Sequence, residues 1–207
     1  MLKIENVKLP PGGGLESLAA ECARLLRTDA GQLRELRVLR RSLDAREEVR
    51  WVYSAAVTVD REDAVLRRCR GRAVRYDPPA PYLPPEPRPA PEIPPVVVGA
   101  GPAGLFAALI LARAGQRPIL LERGQPVEQR RRDVETFFRS GALNPASNVQ
   151  FGEGGAGAFS DGKLNTGTRD LRHRWILEQF AACGAPEDIL IDARAHVGTD
   201  RLYTVLQ

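Results

Sequence analysis

Residues 96–123 read VVVGAGPAGLFAALILARAGQRPILLER, and each part of this stretch has a mechanical role. Val96, Val97 and Val98 predict a buried parallel strand, apolar on both faces. Gly99 permits a tight turn out of that strand. Gly101 lets the backbone approach a pyrophosphate that a Cβ would hold off, and Gly104 lets the next helix pack close to the sheet. Pro102, followed by Ala103, occupies the first helical turn, where a missing N–H costs nothing. The free N–H groups and positive dipole end of that turn suit an anion. Leu105 to Ala114 continues as an apolar helix that Gly115 stops. Ile119, Leu120 and Leu121 supply a second strand. Glu122 lies at its carboxyl end, 18 residues beyond Gly104, where a carboxylate can accept hydrogen bonds from ribose hydroxyls. An acid there argues against a 2′-phosphate. A lone GxGxxG is weak, but here strand, turn, helix, glycine stop, second strand and acid come in register. The stretch reads as an ADP-binding βαβ unit at the head of an α/β, Rossmann-like domain over residues 96–207.

Upstream of this unit the chain changes character. Ten of the 17 prolines fall between Asp77 and Val96. Proline fixes φ and removes the backbone donor, so residues 77–95 are expected to run as an extended, semi-rigid linker. Residues 1–76 read as a small α+β module. Leu2, Ile4 and Val7 form a short extended segment. Leu15, Leu18, Cys22 and Leu25 make one stripe of a helix over 15–27. Leu36–Leu43 and Val49–Val59 read as strands, Asp60 as the cap of a helix over 61–69, and Ala73–Tyr76 as a last strand. The order β-α-β-β-α-β points to a ferredoxin-like split βαβ.

The net charge of +4 is concentrated in the first module, and 27 of the 30 basic residues are arginine. Those arginines alternate with carboxylates and no aromatic platform accompanies them, so a solvated surface is expected and no nucleic-acid partner. Cys22, Cys69 and Cys183 are far apart and form no CxxC pair, so disulfide reductase chemistry is not expected and a zinc site has no support. The charged, alternating opening segment does not read as a secretory signal, so none is expected, and the longest apolar run, Leu105–Ala112, is far short of a membrane span. A cytoplasmic location without a membrane partner is the expectation.

Residues 148–164 read NVQFGEGGAGAFSDGKL. Five glycines in eleven residues preclude a regular helix or central strand. Such a loop permits close approach to a flat or phosphorylated ligand, and its successive N–H groups can form an anion nest. Lys163 is followed by Leu164, so the phosphate-loop pattern GxxxxGK[ST] is not met. Phe151 and Phe159 are expected to anchor the loop on a core.

Taken together, GAGPAGLFAALILARAG, LERG, LNPASNVQFGEGGAGAFSDGKLNT, GAPEDIL and HVGTDRL resemble the bacterial family of uncharacterised FAD-dependent dehydrogenases. These carry Rossmann domains of the glutathione-reductase type. The GAGPAG wording, with Glu122 followed by Arg123 and Gly124, resembles units that bind the ADP half of FAD rather than NAD. The resemblance implies FAD as cofactor, contacted by Gly99, Gly101, Pro102, Ala103, Gly104, Glu122 and Arg123. It also implies that Gly154, Gly155 and Ser160 run along the pyrophosphate towards the flavin. Members of that family are longer and return late to the Rossmann domain, so 96–207 is expected to be truncated, with a C-terminal half missing.

These readings lead to an FAD-dependent oxidoreductase, or its N-terminal part, acting on an unknown small-molecule substrate with NAD(P)H as a transient reductant. The alternative is a non-catalytic nucleotide-binding or interaction module; a third reading is an NAD-binding enzyme on the same fold. No catalytic residue is identified. His173 and His196 are the only histidines, each a candidate general base without a readable partner. His173 reads as solvated, Thr199 or Asp200 as a helix cap, and Arg130, Arg131 and Arg132 as a helix surface.

Overall fold

A computed structural model describes all residues from Met1 to Gln207. The chain divides into two units, residues 1–80 with 187–195, and residues 81–186 with 196–207.

In the first unit the strands are β1 (Leu2–Leu9), β2 (Leu33–Asp44), β3 (Arg50–Val59) and β4 (Ala73–Arg75), with helices α1 (Leu15–Leu26) and α2 (Glu62–Arg68). The sheet order is β2-β3-β1-β4 and the named pairs are all antiparallel. One irregularity in β1 decides which residues reach the core. Leu2 and Ile4 share parity, Val7 and Leu9 the other, yet all four are buried together. A register shift between Ile4 and Val7, with Asn6 at φ +58°, inserts the extra residue that returns both pairs to one face. That face packs with Ala55, Val57 and Val59 of β3, Leu18, Cys22 and Leu26 of α1, and Val65 of α2.

Two expectations for this unit need correction. Leu15 is 68% exposed; the buried stripe of α1 is Leu18, Cys22, Ala23 and Leu26, one step round from the stripe read in the sequence. Asp60 does not cap α2. Arg61 holds the cap position in the left-handed region without a side-chain cap bond, and Asp60 instead pairs with Arg34 at 2.6 Å. An available arginine across the β2–β3 pair competes for the same carboxylate. Burial pushes the Cys22 thiol up to about 11, which makes it a packing residue rather than a nucleophile.

Segment 187–195 docks on the outer edge of β2 at one residue, Arg41. The Arg41 N–H donates to the Ile191 carbonyl and the Ala193 N–H to the Arg41 carbonyl, both at 2.7 Å. The Arg41 side chain, stacked 4.7 Å from the Trp51 ring centroid, reaches Asp192 at 2.7 Å and Asp188 at 2.8 Å. This bridge occupies the backbone groups of Arg41 on the edge strand, where they can no longer pair with another chain.

The second unit is built on β5 (Val96–Val98), α3 (Pro102–Arg113) and β6 (Ile119–Leu121), followed by α4 (Val127–Ser140), α5 (Arg172–Ala182) and α6 (Thr199–Leu206). β5 and β6 pair in parallel, Val96 with Ile119 through Val98 with Leu121, as a βαβ crossover requires. The strands are not buried, contrary to the sequence reading. Val98 is 82% exposed and Leu121 52%. Each strand has one neighbour in a two-stranded sheet, so apolar side chains meant for two covered faces reach solvent. From Pro81 onwards the proline-rich stretch lies against this unit. Tyr82 meets Trp175 edge-on at 5.6 Å, and the Arg88 N–H donates to the Ala114 carbonyl at 3.0 Å. No helix in the protein is long and apolar enough to cross a membrane.

Candidate functional site

The β5–α3 turn is shaped by three glycines with three different duties. Gly99 has φ +97°, which lets the chain reverse direction at the end of β5. A Cβ built on Gly104 would fall 1.8 Å from the Gly99 carbonyl oxygen, so this glycine is required by the protein's own packing. A Cβ on Gly101 would meet nothing within 4 Å; the space before it is open. Pro102 and Ala103 start α3 in exposed positions, and no side chain caps the helix. The early amides of α3 are therefore left for a ligand.

Glu122 serves this turn directly. Its Oε2 accepts from the Ala100 N–H at 2.6 Å and its Oε1 from the Gly124 N–H at 2.8 Å. These two backbone donors hold the carboxyl below its ordinary value of 4.5. One carboxylate thus ties the end of β6 to the glycine turn after β5.

The second glycine cluster folds back on the first. The Gly154 N–H donates to the Ala100 carbonyl at 2.8 Å. A Cβ on Gly155 would come 3.3 Å from Gly101 Cα and Pro102 Cδ, and one on Gly124 would come 2.4 Å from Gly152 Cα. Much of the glycine content that read as room for a ligand is therefore room for the protein's own backbone and for the Arg130 and Leu206 side chains. Ser160, exposed at the loop's far end, accepts from the Gly162 N–H at 3.1 Å and donates to the Gly157 carbonyl at 2.8 Å. Arg123 lies 4.0 Å above the centre of the Phe151 ring, so it anchors on the second loop. Between the start of α3, this loop and α6 lies a largely apolar cavity of about 180 Å³, walled by Leu105, Phe106, Gly154, Leu202 and Leu206.

Several residues of the site escaped the sequence reading. Arg130 was expected on a helix surface, yet it is fully buried. It donates to the carbonyls of Asn148, Val149, Glu153 and Gly155. A signal existed: Val127, Arg130 and Val134 fall on one face of α4, and all three are buried. Glu153 accepts from the Val127 N–H at 2.7 Å, capping α4 from 26 residues away. No local pattern announces that bond. Thr199 and Asp200 do not cap α6, whose start at Gly198 has no side-chain cap; Thr199 donates to the Ser160 carbonyl instead. His173 is half-buried rather than solvated, with its ring 2.8 Å from the Thr168 hydroxyl. His196 meets the Asp161 carbonyl. Neither ring hydrogen-bonds a carboxylate, so no acid–base pair is assembled around either.

Residues 95–177, which hold both glycine loops, match the family described as FAD binding domain. FAD is the cofactor of this region. The open cradle at Gly101 and the uncapped amides of α3 fit a dinucleotide pyrophosphate. The match supports flavin binding by this region. Residues 1–59 match a domain of unknown function (DUF8436). An uncharacterized protein of Clostridium beijerinckii is 40% identical over 217 residues, an alignment covering 100% of this chain and 39% of the relative. The chain thus spans about two fifths of the length of the curated relative that it matches.

Proposed function

We propose that this chain is the FAD-binding portion of a flavin-dependent dehydrogenase of the glutathione-reductase type, acting on a small-molecule substrate with NAD(P)H as a transient reductant. The observation that carries this reading is the closure of the two glycine loops over the uncapped start of α3, within the region that matches an FAD binding domain. FAD, when bound, supplies the acceptor and donor for a hydride or electron pair. In this reading the chain's own residues bind and orient. Gly99, Gly101, Pro102, Ala103 and Gly104 hold the pyrophosphate. Glu122, with Arg123 beside it, fixes the turn and faces the ribose. Gly154, Gly155 and Ser160 line the path towards the ring. Residues 1–76, joined by 187–195 along β2, form a ferredoxin-like module, supported by the order β2-β3-β1-β4; the linker reduces to 77–80, since the rest of 77–95 packs with a Rossmann-like domain of residues 81–186 and 196–207. The exposed apolar strands β5 and β6, with the greater length of the relative, support a sheet completed by sequence beyond these 207 residues. A cytoplasmic location completes the reading.

The test is flavin uptake. The purified chain, mixed with FAD and passed through a desalting column, is expected to retain visible flavin absorbance and to release intact FAD on denaturation. A colourless protein that neither shifts the flavin spectrum nor is stabilised by FAD against heat overturns the reading.

A further inference from the structure

We propose that Arg130 is the positioning residue of the cofactor site, a buried guanidinium that sets the peptide planes of loop 148–155 and so closes that loop on the α3 turn. This inference rests on the FAD reading for its purpose, but not for its geometry.

A charge with no exposure normally sits against a carboxylate. Arg130 is 0% exposed and hydrogen-bonds only backbone carbonyls. Its Nε reaches the Asn148 carbonyl at 3.4 Å; its Nη2 reaches Asn148 and Val149, each at 3.2 Å; its Nη1 reaches Gly155 at 3.0 Å and also Glu153. The guanidinium's hydrogen bonds all go to four carbonyls, with the Glu122 and Glu153 carboxylates acting on its charge at longer range, so the loop must keep those carbonyls turned inward to leave its N–H groups satisfied. The pocket is shaped for this side chain. Gly152 has φ +109°, and a Cβ there would come 2.4 Å from Arg130 Cδ. The Phe159 ring centroid lies 4.8 Å from the guanidinium carbon.

The consequence passes through one peptide. A trans peptide is planar, with its C=O and N–H on opposite sides, and the chain has no cis bond. The plane joining Glu153 to Gly154 gives its carbonyl to Arg130 and its N–H to the Ala100 carbonyl at 2.8 Å. Fixing one end fixes the other. Arg130, itself fully buried, therefore acts on the first glycine turn through a rigid unit. The Glu153 side chain closes the circuit by accepting from the Val127 N–H, one turn before Arg130 on α4. A lysine carries the same charge but only one ammonium, and cannot span four carbonyls in a planar fork.

The experiment compares the wild-type chain with Arg130→Lys and Arg130→Met, all 207 residues long. Amide hydrogen exchange of residues 148–156 is read without cofactor, and FAD affinity by flavin fluorescence. For Arg130→Met, exchange in the loop should quicken and the FAD dissociation constant rise, each by roughly tenfold or more, the effect of losing one charge-assisted hydrogen bond. Exchange in β1–β4 should not change. Arg130→Lys should recover part of the affinity and stop short of wild type. Wild-type exchange and affinity in Arg130→Met overturns the proposal, as does full rescue by lysine, which would show that charge alone suffices. If Arg130→Met does not fold, Arg130→Lys decides: weakened FAD binding with intact β1–β4 protection supports the proposal, and unchanged binding overturns it. A wild-type chain that takes up no FAD defeats the functional reading, and loop exchange alone then judges the clasp.

Discussion

Gly104→Ala is expected to abolish flavin uptake and to destabilise the second unit by about 3 kcal/mol, the upper range for forcing a methyl into filled space. Two effects oppose each other. Alanine is favoured over glycine inside a helix by about 1 kcal/mol, and Gly104 lies within α3. Against this, the new Cβ would fall 1.8 Å from the Gly99 carbonyl oxygen and 3.0 Å from its carbon. These are backbone atoms, and no rotamer change relieves the overlap. Gly99 must move, and with it the turn that carries Ala100 and its bonds to Glu122 and Gly154. Steric overlap wins because it falls on the least adaptable partner. The contrast is Gly101→Ala, whose Cβ meets nothing within 4 Å and whose φ of −74° suits any residue. That variant should unfold like wild type in urea yet lose FAD affinity, because its methyl occupies the space reserved for pyrophosphate. Urea unfolding followed by flavin titration checks the pair. Equal stability of Gly104→Ala and wild type would refute the packing role.

The second large effect is expected at Glu122. In Glu122→Gln one oxygen becomes an amide NH₂, which must face either the Ala100 or the Gly124 N–H. A donor then opposes a donor, and one charge-assisted bond is lost, a cost of about 2 kcal/mol. The change also alters the response to acid. Both backbone bonds favour the ionised carboxylate, so the folded value lies below the ordinary 4.5. For a lowered carboxyl, the stabilisation is fully present above the unfolded value and lost as pH falls through the folded one. The gap between wild type and Glu122→Gln should be constant at neutral pH and narrow steadily once pH drops below 4.5. Chemical denaturation at a series of pH values measures it; a gap that widens on acidification would contradict the assignment of the two bonds.

Much of the site was legible in the residue order because its logic is local. Gly99, Gly101 and Gly104 lie within six residues, Glu122 follows one helix later, and each duty is set by the turn itself. The parallel pairing of β5 with β6 follows from the same economy, since a strand returning over a short helix has few other places to lie. Arg130 shows where local reading stops. It stands in a run of three arginines that looks solvated on any hydropathy scale. Only its place between Val127 and Val134 hints that it faces inwards, and nothing in the run says that its partners are carbonyls 18 to 25 residues away. Glu153 is similar, because a carboxylate that caps a helix from a distant loop leaves no capping box behind.

The glycines divide the same way. That positions 152, 154 and 155 are glycine follows from no helix or strand, and the residue order shows as much. Whether that freedom admits a ligand or another part of the chain depends on what lies opposite, and Arg130, Leu206 and Gly101 take those places only once the chain has closed. By itself the sequence determined the βαβ unit, its glycine turn and its terminal carboxylate, because each rests on contacts between near neighbours. The tertiary structure decided how the two glycine loops meet, which arginine is buried, and that β5 and β6 lie open to solvent. Those depend on residues far apart in the chain, whose pairing no short-range propensity encodes.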